Sequence, residues 1–290
     1  MKIKTCADSV GYAECTSFFE RWDSRNLKYS REKSMIFDTH AHYENEKFDT
    51  DREQLLASMH TQGIGCIVNV GSSLDTSRQS MHLAQQYDFI YAAVGVHPSE
   101  ISCLDETGID WLRQQSAHPK VVAIGEIGLD YYWEKDLSVR KKQREWFERQ
   151  LAVAQETGLP VIIHSRDAAQ DTLAIMKEAG SRKIPGVIHC FSYAPEQAEQ
   201  YVQMGYYIGV GGVVTFANAK KLAETVKLIP LESLVLETDC PYLAPEPHRG
   251  KRNSSLYLPY VAEKIAEIKG IPAAEVIRVT EQNACQLYRI

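Results

Sequence analysis

From Met35 onward, short apolar runs alternate eight times with longer stretches of helical periodicity, the pattern of repeated βα units around a parallel sheet. The runs are Met35 to Thr39, Gly65 to Val70, Ile90 to Val96, Val121 to Gly125, Pro160 to His164, Gly186 to Cys190, Tyr206 to Val210 and Leu234 to Glu237. Between and after them, Asp51 to Gln62, Thr76 to Gln86, Asp105 to Ser116, Ser138 to Glu156, Ala168 to Glu178, Pro195 to Met204, Lys220 to Leu228, Leu256 to Lys269 and Ala273 to Tyr288 read as helices. Eight strands with helical connections favour a closed TIM-type (β/α)₈ barrel over an open doubly wound sheet. No GxGxxG or GxxxxGK[ST] follows a strand, which speaks further against a nucleotide-binding sheet. A chain of 290 residues holds one barrel of about 250 residues and a short appendage.

The appendage is residues 1–34, polar and charged apart from Phe18, Phe19 and Trp22, and ending in the hydrophilic run Lys28 to Ser34. It reads as an arm outside the barrel or as the result of a translation start placed upstream. Residues 35–290 form the barrel domain. A net charge of −6 argues against a broad basic face that grips duplex DNA, so any nucleic-acid contact is expected to be local. Seven cysteines, odd in number and without a CxxC pair, point to a reducing compartment. No stretch approaches the roughly 18 apolar residues of a membrane span, and the N-terminus lacks an apolar signal region. The expectation is a soluble cytoplasmic protein, monomeric, with no membrane partner.

Five of the eight apolar runs end in a residue that can bind a metal. Strand 1 continues into His40 and His42, two apart and so on one side of an extended backbone. Strand 4 exits at Glu126, strand 5 at His164, strand 6 at His189 and strand 8 at Glu237-Thr238-Asp239. In a parallel barrel all these exits share one end, the end that carries active sites. Singly, His164 reads as a satisfied rim histidine and Glu126 as an ion-paired rim acid. Jointly, they read as a metal site. Four histidines and two carboxylates suffice for two ions if one carboxylate is shared, and Glu126 lies in ring order between strand 1 and strands 5 and 6. One ion would take His40, His42, Glu126 and Asp239, the other Glu126, His164 and His189. Two ions about 3.5–4 Å apart lower the pKa of a water and clamp a phosphate or carbonyl oxygen. Asp239 can take that water's proton, which makes Glu126 and Asp239 the catalytic carboxylates. Imidazoles favour zinc, manganese, iron or cobalt, while magnesium prefers oxygen ligands. His97, ending strand 3 at the same rim, is a candidate to donate to substrate or to cap the turn before Pro98.

The segments Phe37-Asp38-Thr39-His40-Ala41-His42, Gly95-Val96-His97-Pro98, Gly125-Glu126-Ile127-Gly128-Leu129-Asp130-Tyr131, Ile163-His164-Ser165-Arg166, His189-Cys190-Phe191-Ser192 and Leu236-Glu237-Thr238-Asp239-Cys240-Pro241-Tyr242 resemble the motifs of the TatD family of metal-dependent deoxyribonucleases, within the amidohydrolase superfamily. The resemblance spans Met35 to Ile290. It implies the same ligand set with Glu126 bridging, a substrate role for His97, and phosphodiester hydrolysis in DNA, often as an exonuclease from the 3′ end, supported by two divalent ions (Mg²⁺, Mn²⁺ or Zn²⁺). The chain departs from the usual family pattern at Tyr43-Glu44, at Tyr193 and at Ser254-Ser255, in or beside the loops after strands 1, 6 and 8 that would shape the mouth.

The loop after strand 8 carries Arg249-Gly250-Lys251-Arg252, which makes Arg249 and Lys251 candidates for phosphate contact, with Arg166 as another. Tyr131, Tyr132 and Trp133 either stack on an unpaired base or pack the barrel rim. The leading reading is a nuclease acting on single-stranded or frayed DNA ends. A second is an amide or carboxylic ester hydrolase, such as a deacylase, on the same metals. A third, of another class, is a non-catalytic barrel that binds a partner through its N-terminal arm.

Overall fold

The computed structural model describes residues 34–178 and 184–290, so the N-terminal stretch set apart by the sequence lies, but for Ser34, outside the described residues. Eight parallel strands follow one another in chain order around a nearly closed TIM-type barrel: β1 (Ile36–Ala41), β2 (Ile64–Val70), β3 (Ile90–Val94), β4 (Val121–Asp130), β5 (Val161–Arg166), β6 (Gly186–Ile188), β7 (Tyr206–Val210) and β8 (Leu234–Leu236). Every residue of β1 and of β4 is buried, as expected of strands covered on both faces. Helices α1 (Arg52–Ser58), α2 (Leu74–Gln86), α3 (Glu106–Gln115), α4 (Leu137–Thr157), α5 (Ala169–Glu178), α6 (Pro195–Gln203), α7 (Lys220–Leu228), α8 (Leu258–Lys269) and α9 (Ala273–Tyr288) make the outer layer.

Local chemistry sets the helix ends. Ser73 caps α2 in a reciprocal capping box with Thr76, and Asp105 accepts from the Gly108 N–H to start α3. α4 begins at the Asp136 cap and stops at Gly158, whose φ of 71° suits a residue without a side chain. The helix expected over Asp51 to Gln62 is shorter than its pattern: it ends at Ser58, and a 3₁₀ turn over His60–Gln62 leads to Gly63 at φ 89°. Among the described residues, no helix is long and apolar enough to cross a membrane.

The seam between β8 and β1 closes by backbone pairing just beyond the ends of the two strands. His42 N–H donates to the Cys240 carbonyl (2.9 Å), Asp239 N–H donates to the His40 carbonyl (2.9 Å), and Ala41 and Cys240 form a parallel bridge. α9 covers this seam, its Tyr288 hydroxyl donating to the Thr39 carbonyl (3.1 Å). Phe37, Val68, Val122, Ile162, Val187 and Val235 form one apolar cluster with Leu287 and Tyr288 of α9.

Two strands carry an extra residue at the level of the chemistry. On β1, Asp38 pairs with Ile67 and Ala41 with Asn69, three residues against two. On β4, Ile124 pairs with Val161 and Ile127 with Ile163, again three against two. Such bulges re-aim side chains at barrel rims. β4 runs on through its bulge to Asp130, beyond the Val121 to Gly125 expected from the sequence. Gly95 lets β3 approach this distorted stretch: a Cβ there would lie 2.6 Å from the Gly125 carbonyl carbon.

Candidate metal centre

All six side chains singled out as ligands converge on the C-terminal mouth. His40 Nε2 lies 3.1 Å from His42 Nε2, and His42 Nε2 lies 3.3 Å from Asp239 Oδ1. Glu126 splits its two oxygens: Oε2 faces His40 Nε2 (3.6 Å), while Oε1 faces His164 Nδ1 (2.8 Å), His189 Nε2 (3.8 Å) and His97 Nε2 (3.9 Å). His189 Nε2 is also 3.8 Å from Asp239 Oδ1. Asp239, with 20% of its side chain exposed against 6% for Glu126, is the more open of the two carboxylates. Its φ of 55° is a conformation that Asp tolerates better than most residues, and it turns the carboxylate toward the mouth immediately after β8.

Three of the four imidazoles are backed by an oxygen acceptor. His42 Nδ1 donates to the Val70 carbonyl (2.8 Å), with Nε2 turned toward His40 and Asp239. His164 lies between two carboxylates, its Nε2 3.2 Å from Asp130 Oδ2 and its Nδ1 2.8 Å from Glu126 Oε1. His189 Nδ1 lies 3.1 Å from Glu237 Oε2, with Nε2 turned toward Glu126 and Asp239. Outer-shell carboxylates of this kind orient a metal-binding imidazole and raise its basicity. Asp130 and Glu237 are the residues that sequence reasoning did not assign. Both lie inside quoted motifs, but nothing in a sequence separates a carboxylate facing an ion from one standing behind an imidazole. Glu237 occupies space vacated by Gly209, where a Cβ would come within 2.3 Å of its Oε2.

The donor set fits divalent cations. Imidazole nitrogens and carboxylate oxygens converge in a largely buried space, and the His40 and His42 Nε2 atoms, 3.1 Å apart, are close enough to share one cation. The electrostatics agree. Burial works against ionisation of Glu126, yet His97, His164 and His40 outweigh it and hold the carboxyl well below its usual range. Burial likewise opposes charge on Asp239, and His42 outweighs it.

His97 sits at the same rim. Burial, reinforced by His164, pushes its pKa down to about 4, so the ring is neutral at pH 7. The Ser99 N–H donates to its Nδ1 (3.1 Å), so the ring proton is on Nε2, the nitrogen that faces Glu126. These groups open into one cavity of about 1150 Å³, also lined by Glu44, Trp133, Arg166 and Tyr242. Arg249 and Lys251 are not among its lining residues. Arg249 lies over the Phe216 ring (4.2 Å) and 3.9 Å from Glu246, and Arg252 is committed to Asp51. The geometry therefore gives Arg249 and Arg252 other contacts than the one expected of this loop, while Arg166 is at the mouth.

Of the departures from the family pattern, Glu44 lines the cavity, whereas Tyr43 and Ser255 do not. The latter two meet in the core, where the Tyr43 hydroxyl lies 2.8 Å from Ser255 Oγ, and Ser255 Oγ donates to Asp38 Oδ2 (2.6 Å). Tyr193 braces the loop after β5 through Ser165 Oγ (3.0 Å) and the Ala168 N–H (3.3 Å).

The family model of TatD-related DNases matches residues 37–289. An uncharacterized metal-dependent hydrolase of Bacillus subtilis, YabD, is 46% identical over 256 residues, 88% of this chain and 100% of its own length. A protein of Edwardsiella piscicida named 3′-5′ ssDNA/RNA exonuclease TatD is 35% identical over 252 residues, 85% of this chain and 96% of its own. Among solved structures, the Escherichia coli TatD homologue YjjV superposes with a TM-score of 0.82 at 32% identity, covering 88% of this chain and 98% of that one.

Proposed function

The chain belongs to the TatD family of metal-dependent hydrolases, and from that premise we propose that it hydrolyses phosphodiester bonds in single-stranded DNA, working from the 3′ end with two divalent cations. The observation that carries this reading is the Glu126 carboxylate, with one oxygen toward His40 and the other toward His164 and His189. His40, His42, Asp239 and Glu126 would hold one cation, and Glu126, His164 and His189 the other. Bound there, divalent cations supply Lewis acidity toward a phosphoryl oxygen and lower the pKa of a coordinated water.

The chain's own residues do the rest. Asp239, ionised and facing the mouth, accepts the proton of the attacking water. His97, neutral and protonated on Nε2, donates a hydrogen bond to a phosphate oxygen, and Ser99 keeps that proton on the correct nitrogen. Arg166 contributes a fixed positive charge at the rim. A cavity of about 1150 Å³ exceeds the ~300–1,000 Å³ of ordinary small-ligand pockets, which suits several nucleotides better than a single acyl group. The nuclease name carried by the Edwardsiella relative supports the same choice.

The test is a time course on 3′- and 5′-labelled single-stranded DNA with chelator-stripped protein resupplied with Mg²⁺, Mn²⁺ or Zn²⁺. The expected result is metal-dependent shortening from the 3′ end that falls more than about a thousandfold in Glu126→Ala. Metal-loaded protein that cleaves esters or amides but no nucleic acid would overturn the reading in favour of the deacylase class.

A further inference from the structure

We infer that Trp133 is a stacking platform for one unpaired base of the substrate strand, with Arg166 placed to take the phosphate beside that base; this rests on the nuclease reading above. The sequence left Tyr131, Tyr132 and Trp133 open between rim packing and base contact, and the structure divides them. Tyr131 is buried, with its hydroxyl donating to Asp171 (2.8 Å). Tyr132 has cations over its ring, the Arg166 guanidinium at 4.0 Å and the Lys135 ammonium at 5.7 Å, and Trp133 at its edge at 4.8 Å and 86°. Trp133 itself is 73% exposed and lines the cavity that holds the metal-facing residues.

The exposed indole leaves apolar ring surface available to a ligand at the rim. Here it is also held in place. Asp130 Oδ1 accepts from the backbone N–H groups of Tyr132 (2.9 Å) and Trp133 (3.0 Å), while its Oδ2 meets His164 Nε2 (3.2 Å). One carboxylate therefore fixes both the imidazole at the chemistry and the loop that presents the indole. Lys135 and Arg140 tie the same loop down by donating to the Tyr131 carbonyl (2.7 and 3.0 Å). A rigid aromatic face loses little entropy on stacking. Arg166 pairs in register with Asp130 across β4 and β5, and among the described residues it has no carboxylate partner. A cation without a carboxylate partner, held on the Tyr132 ring and 5.7 Å from the centre of a largely exposed indole, at the edge of the candidate metal pocket, is chemically complementary to a nucleotide. Bases in a duplex have both faces covered, so this platform selects a single strand.

The experiment compares two single-stranded DNAs that differ only at the 3′ end: one ends in three thymidines, the other in three tetrahydrofuran residues without bases. Wild-type full-length protein with its metal is expected to show a KM about tenfold lower for the base-bearing end. Trp133→Ala reduces that ratio to near one, and Trp133→Phe, which keeps a flat ring, restores most of it. Circular dichroism and the melting midpoint show that each variant is folded. A ratio near ten retained in Trp133→Ala overturns the platform and leaves the nuclease reading standing. No cleavage of either DNA by wild-type protein with any metal overturns the nuclease reading and the platform with it.

Discussion

The two halves of the candidate metal centre are built differently. The half made by His40, His42 and Asp239 sits on the seam of the barrel, and the backbone pairs that close the sheet, His42 with Cys240 and Asp239 with His40, also place these side chains. The half made by His164 and His189 sits on strands already paired within the sheet, and its imidazoles are set by side chains, Asp130 and Glu237. The first half is welded to the fold, whereas the second is adjusted on it. Damage behind the seam half should therefore appear as lost stability, and damage behind the other as lost metal affinity in a folded protein.

The largest effect is expected from Asp38→Ala. Asp38 is fully buried beneath the seam and accepts from the Thr238 N–H (3.0 Å) and hydroxyl (2.7 Å), from the Ser255 hydroxyl (2.6 Å) and from the His40 N–H (3.3 Å). Burial pushes its pKa up to about 7 in spite of these bonds, so part of the population is neutral at physiological pH. Removing the carboxyl strands several buried donors at about 1–3 kcal/mol each, and partial relaxation leaves a loss of roughly 3–5 kcal/mol. For a domain of this size that is about 10 °C in melting midpoint, read by calorimetry on metal-stripped protein. A drop of less than about 1 kcal/mol would mean that the seam is not what holds this half together.

Next in size are Glu237→Gln and Asp130→Asn, each expected to weaken binding of one cation by about 10–100-fold while the metal-free protein melts close to wild type. Competition with a chelator of known affinity measures this. If either variant instead unfolds with unchanged metal affinity, the contrast between the halves is lost.

A smaller effect separates the metal-free from the metal-loaded state. Burial lowers the pKa of His189, but Glu237, followed by Glu126 and Asp239, carries it up to about 9. A folded-state pKa above the ordinary 6.5 adds stability that is fully present below pH 6.5 and lost as the pH rises through about 9. Glu126 and Asp239, held below their ordinary values, act in the opposite sense, losing their contribution as the pH falls through their folded pKa values. Metal-stripped protein should thus melt progressively lower between pH 7 and 9.5, while metal-loaded protein, from which the ligand protons have been displaced, should not. Parallel melting curves across that range would contradict the assignment of His189 as a ligand.

Much of this arrangement is legible in the sequence, and what is not has physical reasons. The eight strands are legible because a run buried on both faces must be apolar throughout, and the six converging side chains because parallel strands deliver their exits to one end. The bulges on β1 and β4 are not, since one extra residue leaves composition and period almost unchanged. Glu237 and Asp239 show the limit most clearly. Two apart on an extended chain, they should be equivalent, but Asp239 adopts a left-handed backbone and turns to the mouth, while Glu237 stays behind His189. The Tyr43–Ser255–Asp38 contact joins positions more than 200 residues apart, and no local pattern announces it.

The basic loop after β8 sharpens the comparison at its weakest point, because a sequence shows charge but not where a charge is spent. Arg249 lies on Phe216 near Glu246, and neither it nor Lys251 lines the cavity, whereas Arg166 does. A solvated cation beyond the rim, separated from a phosphate by roughly a Debye length of about 8–10 Å, contributes little at physiological salt. Arg249→Ala and Lys251→Ala are accordingly expected to change kcat/KM on single-stranded DNA by less than about twofold at 0.15 M salt, with a somewhat larger loss on dilution of the salt. Arg166→Ala under the same conditions should cost about tenfold, the weight of one charge-assisted phosphate contact. Steady-state rates for the three variants at two salt concentrations decide it. Equal losses in all three would move the substrate's path across the β8 loop, onto the welded side of the mouth.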